Sequence, residues 1–202
     1  MLRDATRNVI EITRNADKCL VYDKALPAAG LTWRELVHWW SARSQSKLPE
    51  QETGRQLWRR LAGSLDSDPE RCLLRTYSTR YAVNPDIPAL LPQVWLHYDP
   101  FLRPAGPARP AAVERQRMDF LLLMPGRRCV VLEIDGKHHY AKDDRADPHA
   151  YARMVSEDRR LRLAGYEVYR FGGAEFIDKS KATAMLTQFF NELVSASSSP
   201  SL

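Results

Sequence analysis

The sequence has no apolar run that approaches the roughly 20 residues a helix needs to cross a bilayer. Its opening segment, MLRDATRNVIEITRNAD, carries no apolar signal core, so the expected compartment is the cytoplasm. Cysteine is scarce. Cys19, Cys72 and Cys129 are odd in number, far apart and set in apolar surroundings. No CxxC pair points to a metal knuckle or a redox site, so buried thiols in a reducing compartment are expected. No internal repeat recurs. Strong charge of one sign is missing too: a net charge of +5 and a pI near 9.2 permit an anionic partner such as nucleic acid without demanding one.

What is present is enough for a core. A chain of 202 residues, 44% of them hydrophobic, suits one sizeable domain, alone or with an appendage. Residues 1–48 read as helical, from VIEI and from the apolar spacing of LTWRELVHWWSA. Thr32 is placed to cap the second of these helices, and Glu35 to complete a capping box. Trp39 and Trp40 are expected to pack rather than to stack on bases. QSKLPEQETG reads as a loop, GRQLWRRLAGSL (54–65) as a helix and SDPER as a turn. CLLRTYSTRYAV reads as a segment that includes a strand. The proline-rich turn NPDIPALLP precedes a further strand, QVWLHY (93–98), and DPFLRPAGPARPAA reads as an exposed loop.

DFLLLM (119–124) and CVVLEID (129–135) are strong strand signals joined by the turn PGRR. KDDRADP reads as a polar loop. Pro148 suits the start of a helix that runs through HAYARMVSEDRRLRLA to a stop at Gly165. YEVYRF (166–171) is a strand, and a last helix spans about 180–195 before a disordered tail. The organisation expected is a helical N-terminal extension over 1–50, an α/β domain over 51–195 and a tail over 196–202. The alternation of helix and strand predicts a mixed sheet with helices on both faces.

The stretch VVLEIDGKHHY places Glu133, Asp135 and Lys137 at every second position. In a strand these residues share a face with Val131, while Val130, Leu132 and Ile134 point into the core. Two carboxylates side by side at the end of a buried strand repel each other, which costs free energy unless a cation neutralises them. Mg2+ or Mn2+, hard ions with oxygen ligands, meet that need. A nearby lysine can then stabilise developing negative charge or orient a water. An arbitrary Glu-x-Asp-x-Lys is more often a solvated strand end. Here the preceding strand is strongly apolar, and Asp119 stands at the mouth of the adjacent strand, just before Phe120-Leu121-Leu122-Leu123, where it can share the ion.

Asp119 opening one strand, with Glu133-Ile134-Asp135-Gly136-Lys137 closing the next, resembles the PD-(D/E)XK nuclease superfamily, the restriction-endonuclease-like nucleases. Asp119 stands at the family's first acid, and Asp135-Gly136-Lys137 matches its Asp/Glu-x-Lys element. EIDGKHHY followed by EDRRLRLAGYEVYRF is similar to the branch near the very-short-patch repair endonucleases. The resemblance covers about residues 90–175 and leaves out the first 50. Met118 departs from the family's proline. A literal Pro85-Asp86 lies in a turn far from the second motif and is set aside.

The resemblance implies an αβββαβ core and metal-assisted phosphodiester hydrolysis. Asp119 and Asp135 would be ligands of Mg2+ or Mn2+, and Glu133 a third ligand or a positioner of metal-bound water. Which of Glu133 and Asp135 is the main second ligand stays open, as does the choice between one ion and two. Lys137 would orient the attacking water or stabilise charge in the transition state. His139 falls where that branch often has a histidine, and a proton-transfer or phosphate-contact role stands level with a structural one. Arg170 is a further accessory group, with pairing to an acid favoured over a substrate contact. Glu157 to Arg160 read as a mostly solvated helix face.

Basic residues crowd Arg103–Arg117 and Arg127–Arg128, so Arg115, Arg117, Arg127 and Arg128 are candidate nucleic-acid contacts, although solubility alone also accounts for such loops. DNA is favoured over RNA, and a role in bacterial anti-phage or mobile-element defence follows by analogy of fold. The competing expectation is a catalytically inactive nucleic-acid-binding or assembly subunit. The intact Asp119, Asp135 and Lys137 argue against it. The N-terminal helices could serve a homodimer or a partner protein.

Overall fold

The computed structural model describes residues 2–4, 9–10, 20–24, 26, 29–96, 116–136, 141–142 and 145–195. Its main elements are α1 (Trp33–Ser44), α2 (Glu50–Ala62), α3 (Asp68–Ser78), β1 (Leu90–Leu96), β2 (Gln116–Leu123), β3 (Cys129–Asp135), α4 (Pro148–Leu163), β4 (Tyr166–Gly172) and α5 (Lys179–Ser195). The four strands lie side by side in chain order. β1–β2 and β2–β3 pair antiparallel, and β3–β4 pair parallel. A parallel pair needs a long crossover, which α4 supplies.

Alternation along β3 separates two apolar layers. Val130, Leu132 and Ile134 pack with Phe120, Leu122 and Phe171 against buried residues of α1, α2, α3 and α5. Val131 faces the other way and meets Leu121, Val168 and Leu161 of α4. The molecule is therefore an α/β protein with a four-stranded mixed sheet flanked by helices.

The capping box at α1 forms as its sequence predicts: Glu35 N–H donates to Thr32 Oγ1 and Thr32 N–H donates to Glu35 Oε2. Just before it, Leu31 N–H donates to the Leu123 carbonyl at 3.0 Å, and Leu31's own carbonyl accepts from Ala89 N–H at 2.7 Å. The entry to α1 is thus stitched to the ends of β1 and β2. Gly30 makes this close approach possible; its φ is +85°, and a Cβ there would lie 2.2 Å from the Leu123 carbonyl oxygen. Trp39 is buried, with Nε1 donating to Asp23 Oδ1 at 2.8 Å, and Trp40 packs against the same core.

Several expectations are corrected. CLLRTYSTRYAV contains no strand: it belongs to α3 and to a 3-10 turn over Thr79–Ala82. Ser67, within the expected turn SDPER, caps α3 by accepting from Glu70 N–H, with a proline in the first turn. Glu70, Leu73, Leu74 and Tyr77 then line one buried helical face, and that periodicity overrides the strand preference of Thr and Tyr. α2 begins at Glu50, inside the expected loop, with Glu50 and Glu52 favourably placed at its positive end.

The edge strand β1 begins at Leu90, within the expected proline turn, and an edge position tolerates Pro92. In the N-terminal stretch read as helical, Leu2–Asp4 pairs antiparallel with Val9–Ile10, in keeping with the β-branched pair Val9-Ile10. The expected loop KDDRADP contributes to a short ladder between Ala141–Lys142 and Arg145–Ala146. His97, Tyr98 and the tail over 196–202 lie outside the described residues.

Candidate active site

The site begins where the sheet departs from regularity. Phe120 and Leu122 belong to one core layer, whereas Met118 and Leu121 belong to the other. Simple alternation would put Met118 with Phe120, so the side-chain pattern of β2 breaks at Asp119. On β1, in the gap between the paired residues Pro92 and Val94, Gln93 takes a positive φ of 53°. The β2–β3 ladder ends at Phe120 and Leu132. One step further a side chain takes over, and Ile134 N–H donates to Asp119 Oδ2 at 2.9 Å. Asp119 is 9% exposed, so a backbone N–H anchors a largely buried carboxylate at the mouth of β3.

Glu133 lies beside it on the α4 side of the sheet. Burial, then the Asp119 carboxylate, push the Glu133 carboxyl up to about 8; Arg170 opposes the shift, while Glu157 and Asp135 add to it. The parallel register sets Arg170 of β4 opposite Glu133. Arg170 reaches past it, with Nη1 donating to Asp135 Oδ1 at 2.6 Å and Nε donating to Asp158 Oδ1 at 2.8 Å. Arg162 also approaches Asp158, at 3.5 Å. The side chains of Asp135, Arg170 and Asp158 are 14%, 18% and 18% exposed, so this bridge is shielded from water. It ties two strands to the crossover helix.

The structure brings Asp119, Glu133, Asp135 and Arg170 together. Lys137, His138, His139 and Arg115 lie outside the described residues. Arg127 and Arg128 precede β3, whereas the acids close it. Seven residues of strand put them roughly 20 Å from Asp135. Arg128 is engaged there by Glu167, at 2.6 and 2.8 Å. Arg117 pairs with Asp66, next to the N-terminus of α3, at 3.0 Å. Arg127 and Arg128 therefore do not rim the acidic site, whereas Arg117 lies two residues before Asp119 on β2 and is held by Asp66. Two acids missing from the sequence assignment join it: Glu157 and Asp158, read as part of a solvated helix face. Their signal was spacing, since both lie one turn before the buried Leu161 and so on the sheet-facing side of α4.

Asp119, Glu133 and Asp135 are the oxygen donors that the strands offer a divalent ion, with Glu157 and Asp158 facing them from α4. Among the described residues, no group of three or more acids, histidines or cysteines is drawn together as a formed metal cage. Nor, among them, is any helix long and apolar enough to cross a membrane.

Fold and site together define an α/β protein with an acidic cluster at the end of a central strand, bridged to a crossover helix by one arginine. Comparison with family models, with curated proteins and with solved structures finds no match.

Proposed function

We propose that this protein is a divalent-metal-dependent endonuclease of restriction-endonuclease-like type, hydrolysing phosphodiester bonds, with DNA favoured over RNA. The observation that carries this reading is the meeting of Asp119 and Glu133 across the opened β2–β3 ladder, with the Glu133 carboxyl pushed to about 8. Burial is the larger cause of that rise and the Asp119 carboxylate the next, and a hard cation bound between the two acids would offset both by favouring the ionised form. The succession α3, β1, β2, β3, α4, β4 supports an αβββαβ core.

Mg2+ or Mn2+ bound there would polarise a phosphoryl oxygen and lower the pKa of a coordinated water. Asp119, anchored by the Ile134 N–H, would present a fixed oxygen. Glu133 would give up its proton on binding the ion. Asp135 would contribute through an oxygen not engaged by Arg170. Lys137, two residues further on, would orient the attacking water or stabilise transition-state charge. A place in bacterial anti-phage or mobile-element defence follows only by analogy of fold.

The test is incubation of the purified protein with plasmid, linear duplex and single-stranded DNA and with RNA, in Mg2+, Mn2+, Ca2+ or EDTA. Cleavage is expected with Mg2+ or Mn2+, binding with little cutting in Ca2+, and no cleavage in EDTA. Undiminished cleavage in excess EDTA overturns the metal mechanism. A second reading, an inactive nucleic-acid-binding or assembly subunit, is favoured by one observation: Arg170 already neutralises Asp135 at 2.6 Å. That reading predicts binding without cutting under every ionic condition.

A further inference from the structure

Arg170 offers its guanidinium to two acids from two different elements. Nη1 holds Asp135 on β3, while Nε holds Asp158 on α4. The two contacts use different nitrogens. Because the guanidinium is one rigid plane, releasing Asp135 while keeping Asp158 requires the whole group to swing about its Nε contact. The guanidinium also lies close enough to Glu133 to oppose the rise of its pKa. A permanent positive charge thus sits among the carboxylates that the nuclease reading assigns to a divalent ion.

Two effects of this charge on ion binding oppose each other. Holding Asp135 in one rotamer saves the entropy of ordering it, a factor of a few in affinity. A full positive charge within hydrogen-bond distance of a ligating carboxylate repels a dication in a partly desolvated site, which lowers affinity by about one to several powers of ten. Repulsion wins.

We propose that Arg170 is an internal counter-cation that occupies the site's negative field in the ion-free protein and so sets the concentration at which a divalent ion binds; this rests on the nuclease reading of the same site. Arg170 is then a positioning residue that a divalent ion must outcompete at Asp135. Asp158 keeps the displaced guanidinium docked on α4 instead of releasing it to water.

The experiment is a titration of the full-length protein with Mn2+ in the absence of nucleic acid, reading free Mn2+ by electron paramagnetic resonance. The parent is compared with Arg170→Gln and Arg170→Lys, and circular dichroism verifies folding. Arg170→Gln, which removes the charge, is expected to bind Mn2+ at least tenfold more tightly. Arg170→Lys, which keeps the charge but loses the fork, should stay within about threefold of the parent. If Arg170→Gln does not fold, the double variant Arg170→Gln/Asp158→Asn, which also removes the carboxylate then held only by the longer Arg162 contact, is expected to bind Mn2+ at least tenfold more tightly than Asp158→Asn alone. Mn2+ binding by the parent with equal or weaker binding by the charge-removing variant overturns the counter-cation while leaving the nuclease reading in place. Binding by the variant but not by the parent upholds the counter-cation and moves the natural chain to the inactive reading. Binding by neither overturns both.

Discussion

At the scale of single residues, Glu133 is the group whose protonation reports the site. Its carboxyl lies near 8 in the folded protein against an ordinary 4.5, chiefly through burial and the neighbouring Asp119. Below the lower value both folded and unfolded chains carry the proton, and the group has no effect on the equilibrium. Between the two values the unfolded chain ionises first, so the folded state loses stability relative to low pH as pH rises towards 8. Glu133→Gln mimics the protonated form. In EDTA it is expected to raise the melting temperature at pH 8.5, by on the order of 1–4 kcal/mol of stability. The difference should vanish near pH 4. Equal melting of variant and parent at pH 8.5 would mean that the carboxylate is solvated there. Asp119→Ala differs, because it removes the acceptor of the Ile134 N–H as well as a charge. It should abolish cleavage, and any gain in ion-free stability should be smaller than that of Glu133→Gln.

At the scale of elements, two glycines with positive φ separate backbone strain from close approach. Gly126, φ +73°, lies in the turn between β2 and β3 with nothing within 4 Å of an added Cβ. Gly126→Ala should cost only the left-handed penalty, about 1 kcal/mol. Gly30 has a similar φ, but its Cβ would collide with the Leu123 carbonyl at the seam joining α1 to the sheet. Gly30→Ala should cost several times more, roughly 3 kcal/mol or above, because the strand end must shift as well. Urea unfolding of the two variants measures the contrast, and equal losses would mean that the seam yields freely. The tie between elements at the site is of another kind. Arg170 joins β4, β3 and α4 through ionic hydrogen bonds, whereas Leu161, Val131 and Val168 join the same elements by apolar contact.

At the scale of the whole molecule, the test is how nucleic-acid binding divides from cutting. Arg117 and Arg128 are engaged by Asp66 and Glu167, and Arg127 and Arg128 sit at the far end of β3 from the acids. Lys137 follows the acids directly in sequence. Lys137→Ala should lower single-turnover cleavage in Mg2+ by roughly 10²- to 10³-fold, the scale of removing one charge-stabilising donor. Gel-shift affinity in Ca2+ should change little. Equal losses in both assays would reduce Lys137 to a phosphate contact.

The sequence by itself determined the elements whose signal is contained within them. β2, β3, α4, β4 and α5 were legible from periods of 2 and 3.6, and α1 from Thr32 and Glu35, because a face or a cap is specified by residues a few positions apart. The shared face of Glu133 and Asp135 was legible for the same reason. α3 was not, because a short segment of Leu, Thr and Tyr suits either structure until its neighbours decide which face is covered. Only the tertiary structure decided how the site is wired. The break of alternation at Asp119 accompanies an irregular Gln93 on another strand. Arg170 meets Asp135, 35 residues away, because β3 and β4 pair in parallel, and Asp158, 12 residues away, because α4 docks across the sheet. No local period encodes such contacts. They arise when separately legible elements pack, and packing brought Glu157 and Asp158 to the acids while leaving Arg127 and Arg128 at the other end of the strand.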